Sequence, residues 1–474
     1  MTVDAREWDA DACERGVRQL FTVAEDLDRA YRRLGVAGTA LADWRGAAAT
    51  VARPRMRLAT LRVSGLAGLL RQAADAVRSG LGGVADAARL AVAQSPQEAA
   101  ESIALAVSVD RRMASGLAAV DSVPGPVRLP DPDRTPADVA RWWTALPPHL
   151  RRRLIEQQPA ALGRLAGLPA DVRDEANRRQ LTTLLRQLRA ERDRIFAVVP
   201  PVPLVLARTA VLRSMLAVAE SVERALAARP RARLFTLDLD GAGRVAIGLG
   251  DVDQARHVAV LVPGMGADAL HGVGGTVDRA EHVLAEAGRQ SAESTAVVAW
   301  VGYAAPSWRQ VPFATRARAG GRLLTADLQA LDAGRSADGG GPAHVTLVGH
   351  SYGSTVIGAA TRSGPRRADD LVLLGSPGVL ADDVGELGLS GRRVYVGEAP
   401  FDPVADLGAF GADPGDPGFG ATPVRADPEP GLPLPVRLTE AHSHYFDPGS
   451  ESLRNVARVV VGHDTVVTHP GQAA

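Results

Sequence analysis

From residue 258 onward, short apolar runs alternate with segments long enough to be helices: 258–262, 296–301, 345–348, 371–374, 394–396 and 436–438. Runs that are apolar on both faces suit strands covered from both sides, and strands joined through helices run parallel. Upstream, the apolar runs 234–239 and 245–249 flank Asp240-Gly241, the dipeptide of a tight hairpin. The expectation is an α/β fold: a mostly parallel, eight-stranded sheet covered by helices over residues 231–464, with 465–474 as a tail. The Gly/Pro-rich stretch 408–435 reads as a long irregular loop.

Everything before this region has helical periodicity. Val17, Leu20, Phe21, Ala24, Leu27, Tyr31 and Leu34 recur at the spacing of an amphipathic helix. Ala/Leu-rich stretches at 58–90 and 96–119 follow a break carrying Trp44-Arg45-Gly46, so residues 1–121 read as helical hairpins. Pro124, Pro126, Pro130, Pro132 and Pro136 mark a linker over 122–136. Thr135-Pro136-Ala137-Asp138 then starts a new helix, with Thr as N-cap, Pro at the first helical position and a carboxylate near the positive end of the dipole. This connecting or cap region, 137–230, is interrupted at Pro147-Pro148, Pro159, Pro169 and Pro200-Pro201. Within it Trp142-Trp143 reads as core packing, and Arg173, Asp174 and Asn177 share a helical face and predict a polar network toward the sheet domain.

Charge and composition remove several function classes. Arginines alone make up the 54 basic residues, and 54 acidic residues balance them. The zero net charge points to neither nucleic acid nor an anionic surface. Without lysine there is no Schiff base, P-loop lysine or kinase lysine. Cys13, the single cysteine, leaves no intrachain disulfide or thiolate cluster. Asp4, Glu7, Asp9 and Asp11 stand where a secretory signal would be basic and then apolar, and no run is clean enough to span a bilayer. The expectation is a soluble, by default cytoplasmic, protein.

The chemistry lies in the segment 344–358. An apolar strand runs into Gly349-His350-Ser351-Tyr352-Gly353, and a helical, small-residue stretch follows, the context of a nucleophile elbow. A turn sharp enough to lift a serine hydroxyl above a sheet leaves no room for side chains at Gly349 and Gly353. Serine needs a base, and the base an orienting carboxylate, in the chain order serine, acid, histidine. Asp402, after the seventh predicted strand, suits the acid, with Asp406 and Glu398 as rivals. Beyond 436–438, His442 and His444 compete as base and would share a face if the strand continued. A metal reading of this pair lacks a third ligand. His350 reads as a packing or hydrogen-bonding residue of the elbow. The oxyanion donors are expected to be the backbone N–H groups of Tyr352 and of Met265, in the loop after strand 258–262. The same loop spells Gly264-x-Gly266-x-x-Ala269, but no acidic residue ends the next strand, so no dinucleotide or other cofactor is expected.

These residues resemble the alpha/beta-hydrolase superfamily over about 234–463 and, more narrowly, a bacterial hydrolase-like family catalogued as a domain of unknown function. The narrower resemblance rests on Val-Pro-Gly-Met-Gly (262–266), Trp300-Val301-Gly302-Tyr303, Gly-His-Ser-Tyr-Gly-Ser-Thr (349–355), Leu-Gly-Ser-Pro-Gly (374–378) and His442-Ser443-x-Tyr445-Phe446-Asp447. The resemblance implies that His442, which precedes Ser-x-Tyr, is the base. Trp142-Trp143, Gly167-Leu168-Pro169 and Arg173-Asp174-x-Ala176-Asn177 are similar to the region that often precedes this domain. Trp44-x-Gly46 between two helices resembles WXG-type hairpins associated with type VII export, although no Tyr-x-x-x-Asp/Glu tail follows the second helix.

The expected function is a serine hydrolase acting on a small-molecule ester or thioester, an acyltransferase differing only in the acceptor. The rival is a partner-binding or secretion-associated protein, self-associating or docking through its N-terminal helices, with a degenerate hydrolase scaffold. An imidazole base predicts that hydrolysis rises with pH through roughly 6–7, and a flat profile across that window in a steady-state assay would exclude one.

Overall fold

The computed structural model describes residues 10–40, 67–68, 70–71, 74–75, 77–78, 108, 129–131, 134–198, 203–306, 314–363, 368–389, 393–405, 408–427 and 441–471. The chain divides into two compact units, Met1–Arg128 and Leu129–Ala474.

In the first unit, helix α1 (Ala10–Ala40) carries the expected amphipathic pattern, with Val17 and Ala24 buried. Described residues between 67 and 78 are helical and meet it through Arg78, 4.0 Å above the Phe21 ring, and an Arg71–Asp28 ion pair. Trp44-Arg45-Gly46, the stretch 96–119 apart from residue 108, and most of the proline-rich linker lie outside the described residues.

The second unit opens with α2 (Pro136–Ala145) and α3 (Pro148–Gln157), then a single turn at Pro159–Leu162, α4 (Ala170–Val198) and α5 (Pro203–Ala228). Each expected proline break separates two of these pieces. Thr135 caps α2, its hydroxyl accepting from the Asp138 N–H at 3.2 Å, and Pro136 takes the first turn. The strands are β1 (Arg233–Asp238), β2 (Arg244–Leu249), β3 (His257–Val262), β4 (Thr295–Val301), β5 (His344–His350), β6 (Asp370–Leu374), β7 (Val394–Glu398) and β8 (Thr422–Arg425). Interleaved with them come α6 (Val273–Gln290), α7 (Thr315–Ala337), α8 (Tyr352–Arg362) and, after β8, α9 (Glu451–Val460).

The eight strands form one sheet in the order β1-β2-β4-β3-β5-β6-β7-β8. β1 and β2 form the predicted hairpin, closed through Gly241 at φ 64°, and β2 also runs antiparallel to β4. Every other pair is parallel. The pleat separates two cores. Ala259 and Leu261 of β3 face α4, α5, α6 and α9, whereas Val258, Val260 and Val262 face α7 and α8.

One strand departs from expectation. The eighth strand is 422–425, inside the stretch read as an irregular loop, while 436–438 lies outside the described residues. Thr422-Pro423-Val424-Arg425 is four residues long and contains proline, which a sheet accepts only at its edge, where β8 sits.

The Arg173, Asp174 and Asn177 face of α4 does bind the sheet. Asn177, fully buried, donates through Nδ2 to the carbonyls of Leu234 (2.9 Å) and Phe235 (3.0 Å). Asp174 accepts the Leu234 N–H at 2.7 Å, and Arg173 reaches Thr236 Oγ1 at 3.3 Å. No helix among the described residues is long and apolar enough to cross a membrane. Asn177→Ala strands two buried carbonyls and is expected to cost about 1–3 kcal/mol, read as a drop of several degrees in calorimetric Tm.

Candidate active site

β5 ends at His350 and α8 begins at Tyr352, so Ser351 alone makes the turn from strand to helix. It does so at φ 55° and ψ −132°, a backbone state costing on the order of 1–3 kcal/mol that surrounding bonds must hold. The Ser351 N–H donates to the Leu374 carbonyl at the end of β6 (2.9 Å). The Ser351 carbonyl accepts from the Ser354 N–H (2.9 Å) and hydroxyl (2.6 Å), and Ser354 Oγ lies 2.7 Å from the buried Ser376 Oγ. A Cβ at Gly349 would stand 2.7 Å from Ser354 Cα, and one at Gly353 only 2.1 Å from the Val262 carbonyl oxygen. Both glycines are therefore demanded by contact with neighbouring backbone.

The loop after β3 lies against the same serine. A Cβ on Gly264 would meet Ser351 Cβ at 2.7 Å and Oγ at 3.2 Å. Met265 and Tyr352 thus both adjoin Ser351, one through Gly264 and one along the chain.

Asp402 follows Phe401, a second non-glycine residue at positive φ (71°). Its side chain is fully buried, 0% exposed. His442 Nδ1 lies 2.8 Å from Oδ2 and 3.0 Å from Oδ1, the Tyr445 hydroxyl donates to Oδ2 at 2.6 Å, and the Val404 N–H donates to Oδ1 at 2.9 Å. Burial by itself raises the carboxyl's pKa, but the bonds from His442 and Tyr445 outweigh it and hold Asp402 below its ordinary value. An ionised carboxylate only accepts, so Nδ1 carries a proton, and Nε2 is the nitrogen left to hold a lone pair whenever the ring is uncharged. Tyr445 also accepts the Ala399 N–H at 2.9 Å, and burial next to the Asp402 charge pushes its pKa up, so it remains a donor.

Gly375 is where these parts meet. A Cβ there would stand 2.6 Å from Asp402 Oδ2 and 3.0 Å from His442 Cε1, and its predecessor Leu374 holds the Ser351 N–H. His350 ties the two sides together. Its Nε2 lies 2.7 Å from the His442 carbonyl oxygen and its ring centroid 4.7 Å from that of His442. Burial first, and then the neighbouring His442 and Arg279, push its pKa down to about 3, so at neutral pH it is an uncharged donor.

The two candidate bases separate. Instead of a continuing strand the chain makes a 3-10 turn at Ala441–Ser443, and His444 Nδ1 turns to Asp447 while His442 faces Asp402. Glu398, a rival acid, lies against Gly415, where a Cβ would come within 2.1 Å of its Oε1. Asp406, the other rival, lies outside the described residues. Among the described residues no group of three or more His, Cys, Asp or Glu is arranged to hold a metal ion. Sequence reasoning gave no role to Tyr445, Ser354 or Ser376. Tyr445 was signalled by its place in His442-Ser443-x-Tyr445, and Ser354 by its position one helical turn after Ser351, beneath the Ser351 carbonyl.

A family model described as alpha/beta hydrolase matches residues 238–412. An uncharacterized protein of Mycobacterium tuberculosis, Rv0963c, is 33% identical over 223 residues, covering 44% of this chain and 82% of that one. The chain belongs to this alpha/beta-hydrolase family. A longer relative of the hydrolase, the uncharacterized M. tuberculosis protein Rv2079, is 33% identical over 393 residues, 74% of this chain. The match spans only 59% of that relative's length. Among solved structures, a hyperthermophilic esterase from Pyrobaculum calidifontis aligns over 56% of the hydrolase and 99% of its own chain, at 15% identity and a TM-score of 0.30.

The lowered pKa of Asp402 has a sign that can be tested. A carboxyl whose folded value lies below its unfolded one adds stability above the unfolded value and loses it as pH falls through the folded one. Tyr445→Phe removes a donor to that anion and is expected to destabilise the hydrolase by about 1–3 kcal/mol at pH 7. The deficit against wild type should persist down to the ordinary carboxylate range near pH ~4 and shrink in denaturation curves taken below it, as pH falls through the lower folded value and Asp402 gains its proton.

Proposed function

We propose that this alpha/beta hydrolase is a serine hydrolase that cleaves a carboxylic ester or thioester through an acyl-enzyme. Ser351 attacks the carbonyl carbon, His442 Nε2 takes the hydroxyl proton and returns it to the leaving oxygen or sulfur, and Asp402 keeps the proton on Nδ1 and stabilises the imidazolium. Water, deprotonated by the same imidazole, then releases the acid and restores the serine. The backbone N–H groups of Met265 and Tyr352 receive the oxyanion.

The observation that carries this reading is the fully buried, ionised Asp402 bonded to His442 Nδ1 beside the strand end that holds Ser351. A buried carboxylate is costly to maintain unless its partners need it. An ester or thioester is favoured because the same end of the sheet presents two large apolar side chains to solvent, Met265 at 42% and Phe401 at 59% exposure. Both follow the C-terminal ends of parallel strands, and both suit an apolar acyl group.

Labelling with a fluorophosphonate and peptide mapping is expected to put the adduct on Ser351, and Ser351→Ala should abolish labelling and lower kcat at least about a thousand-fold with the fold unchanged. His442→Ala should approach that loss, while His444→Ala should stay within about ten-fold of wild type. Labelling that persists in Ser351→Ala would place the reaction elsewhere.

A further inference from the structure

The motif Trp300-Val301-Gly302-Tyr303 takes no part in the chemistry assigned so far. Tyr303 stands just beyond β4, 1% exposed, in the middle of a ring stack. Its centroid is 6.0 Å from Trp300 and 6.4 Å from Tyr352, with the rings within 11° and 12° of parallel. Burial first, and then Tyr352, push the phenol's pKa up, so its hydroxyl remains a donor. That hydroxyl donates its one proton into the loop covering the nucleophile, 2.8 Å from the Pro263 carbonyl oxygen, with the Gly264 carbonyl oxygen a longer contact on the same side at 3.4 Å.

The direction of these bonds matters. The Gly264 carbonyl and the Met265 N–H belong to one peptide unit, and in a trans peptide they point opposite ways. No described peptide bond is cis. The Gly264 carbonyl lies on the side of buried Tyr303, where it also accepts the Ala267 N–H at 3.4 Å, and the Met265 N–H therefore points away from the ring; the short bond to Pro263 fixes the preceding peptide unit. Gly264 is also the residue whose Cβ would touch Ser351 Oγ, at 3.2 Å. The face of the stack opposite Trp300 is Tyr352, whose backbone N–H is the other proposed oxyanion donor and whose hydroxyl accepts the Ala317 N–H at 3.1 Å. One column of rings thus supports both donors from below.

We infer that Tyr303 is a positioning residue that orients the Gly264–Met265 peptide to receive the oxyanion. The inference rests on the serine-hydrolase reading above. A donor aimed at charge that exists only in the transition state affects turnover and leaves substrate binding largely alone.

The test is Tyr303→Phe in the full chain, which keeps the ring stack and removes one oxygen. Rates with a p-nitrophenyl ester are expressed per site titrated to completion with fluorophosphonate, so a partly folded preparation still reports on its folded fraction. Loss of an oxyanion donor costs about 100- to 1,000-fold in kcat; misorienting one is expected to cost about 10- to 100-fold, with KM within about two-fold. The inhibition constant for a trifluoromethyl ketone, which forms a tetrahedral oxyanion on the serine, should rise by the same factor as kcat falls. If kcat and ketone affinity per site stay within about two-fold of wild type, or KM alone rises, the inference is overturned. Wild-type protein that forms no adduct on Ser351 would instead overturn the serine-hydrolase reading, and this inference with it.

Discussion

A carboxylate stripped of water remains an anion only where fixed donors replace the water it has lost, and Asp402 receives them from three directions: imidazole, phenol and backbone amide. This arrangement governs the neighbouring structure. It sets the tautomer of His442, requires Tyr445 to be buried at the base of the site, and leaves Gly375 as the one residue small enough for the end of β6. The polarity is concentrated on a few atoms, while the surrounding sheet is aliphatic on both faces.

The second constraint is the left-handed turn at Ser351. A hydroxyl raised above the C-terminal end of a central strand requires a backbone that L-residues disfavour, and buried hydrogen bonds to the Leu374 carbonyl and from Ser354 hold it there. Phe401, immediately before Asp402, has the same sign of φ. Ser351 and Asp402 are therefore each attached to the sheet by a strained residue, and in both cases the strain lies where a strand has just ended. The precision of the arrangement comes from the rigid sheet, and the adjustment comes from single turns.

Much of this is legible in the sequence itself. The apolar runs located seven of the strands, because a strand buried on both faces has little choice of composition, and the elbow announced itself through glycines that contact forbids from being anything else. The eighth strand was not legible, because Thr422-Pro423-Val424-Arg425 has neither the length nor the apolar continuity of a central strand, and only its edge position makes Pro423 acceptable. His442 and His444 could not be told apart from spacing alone, since the segment holding them forms a 3-10 turn whose ring directions depend on Asp402 and Asp447, far and near in sequence. Tyr303 escaped for a similar reason: a buried aromatic after a strand reads as packing until its hydroxyl is seen to point at a particular carbonyl.

The strand order carries a consequence for how the molecule is made. β3 lies between β4 and β5, both later in the chain, and the proposed site draws on Gly264, Ser351, Gly375, Asp402 and the His442–Tyr445 segment, five separate stretches of the sequence. No contiguous fragment contains more than a part of it, and no pairing of sequence neighbours assembles it. Closing such distant segments against one another is the slow, entropically costly part of folding a parallel sheet. The chain must accordingly traverse nearly its whole folding path before Ser351, Asp402 and His442 lie together, so a half-made molecule holds these groups apart.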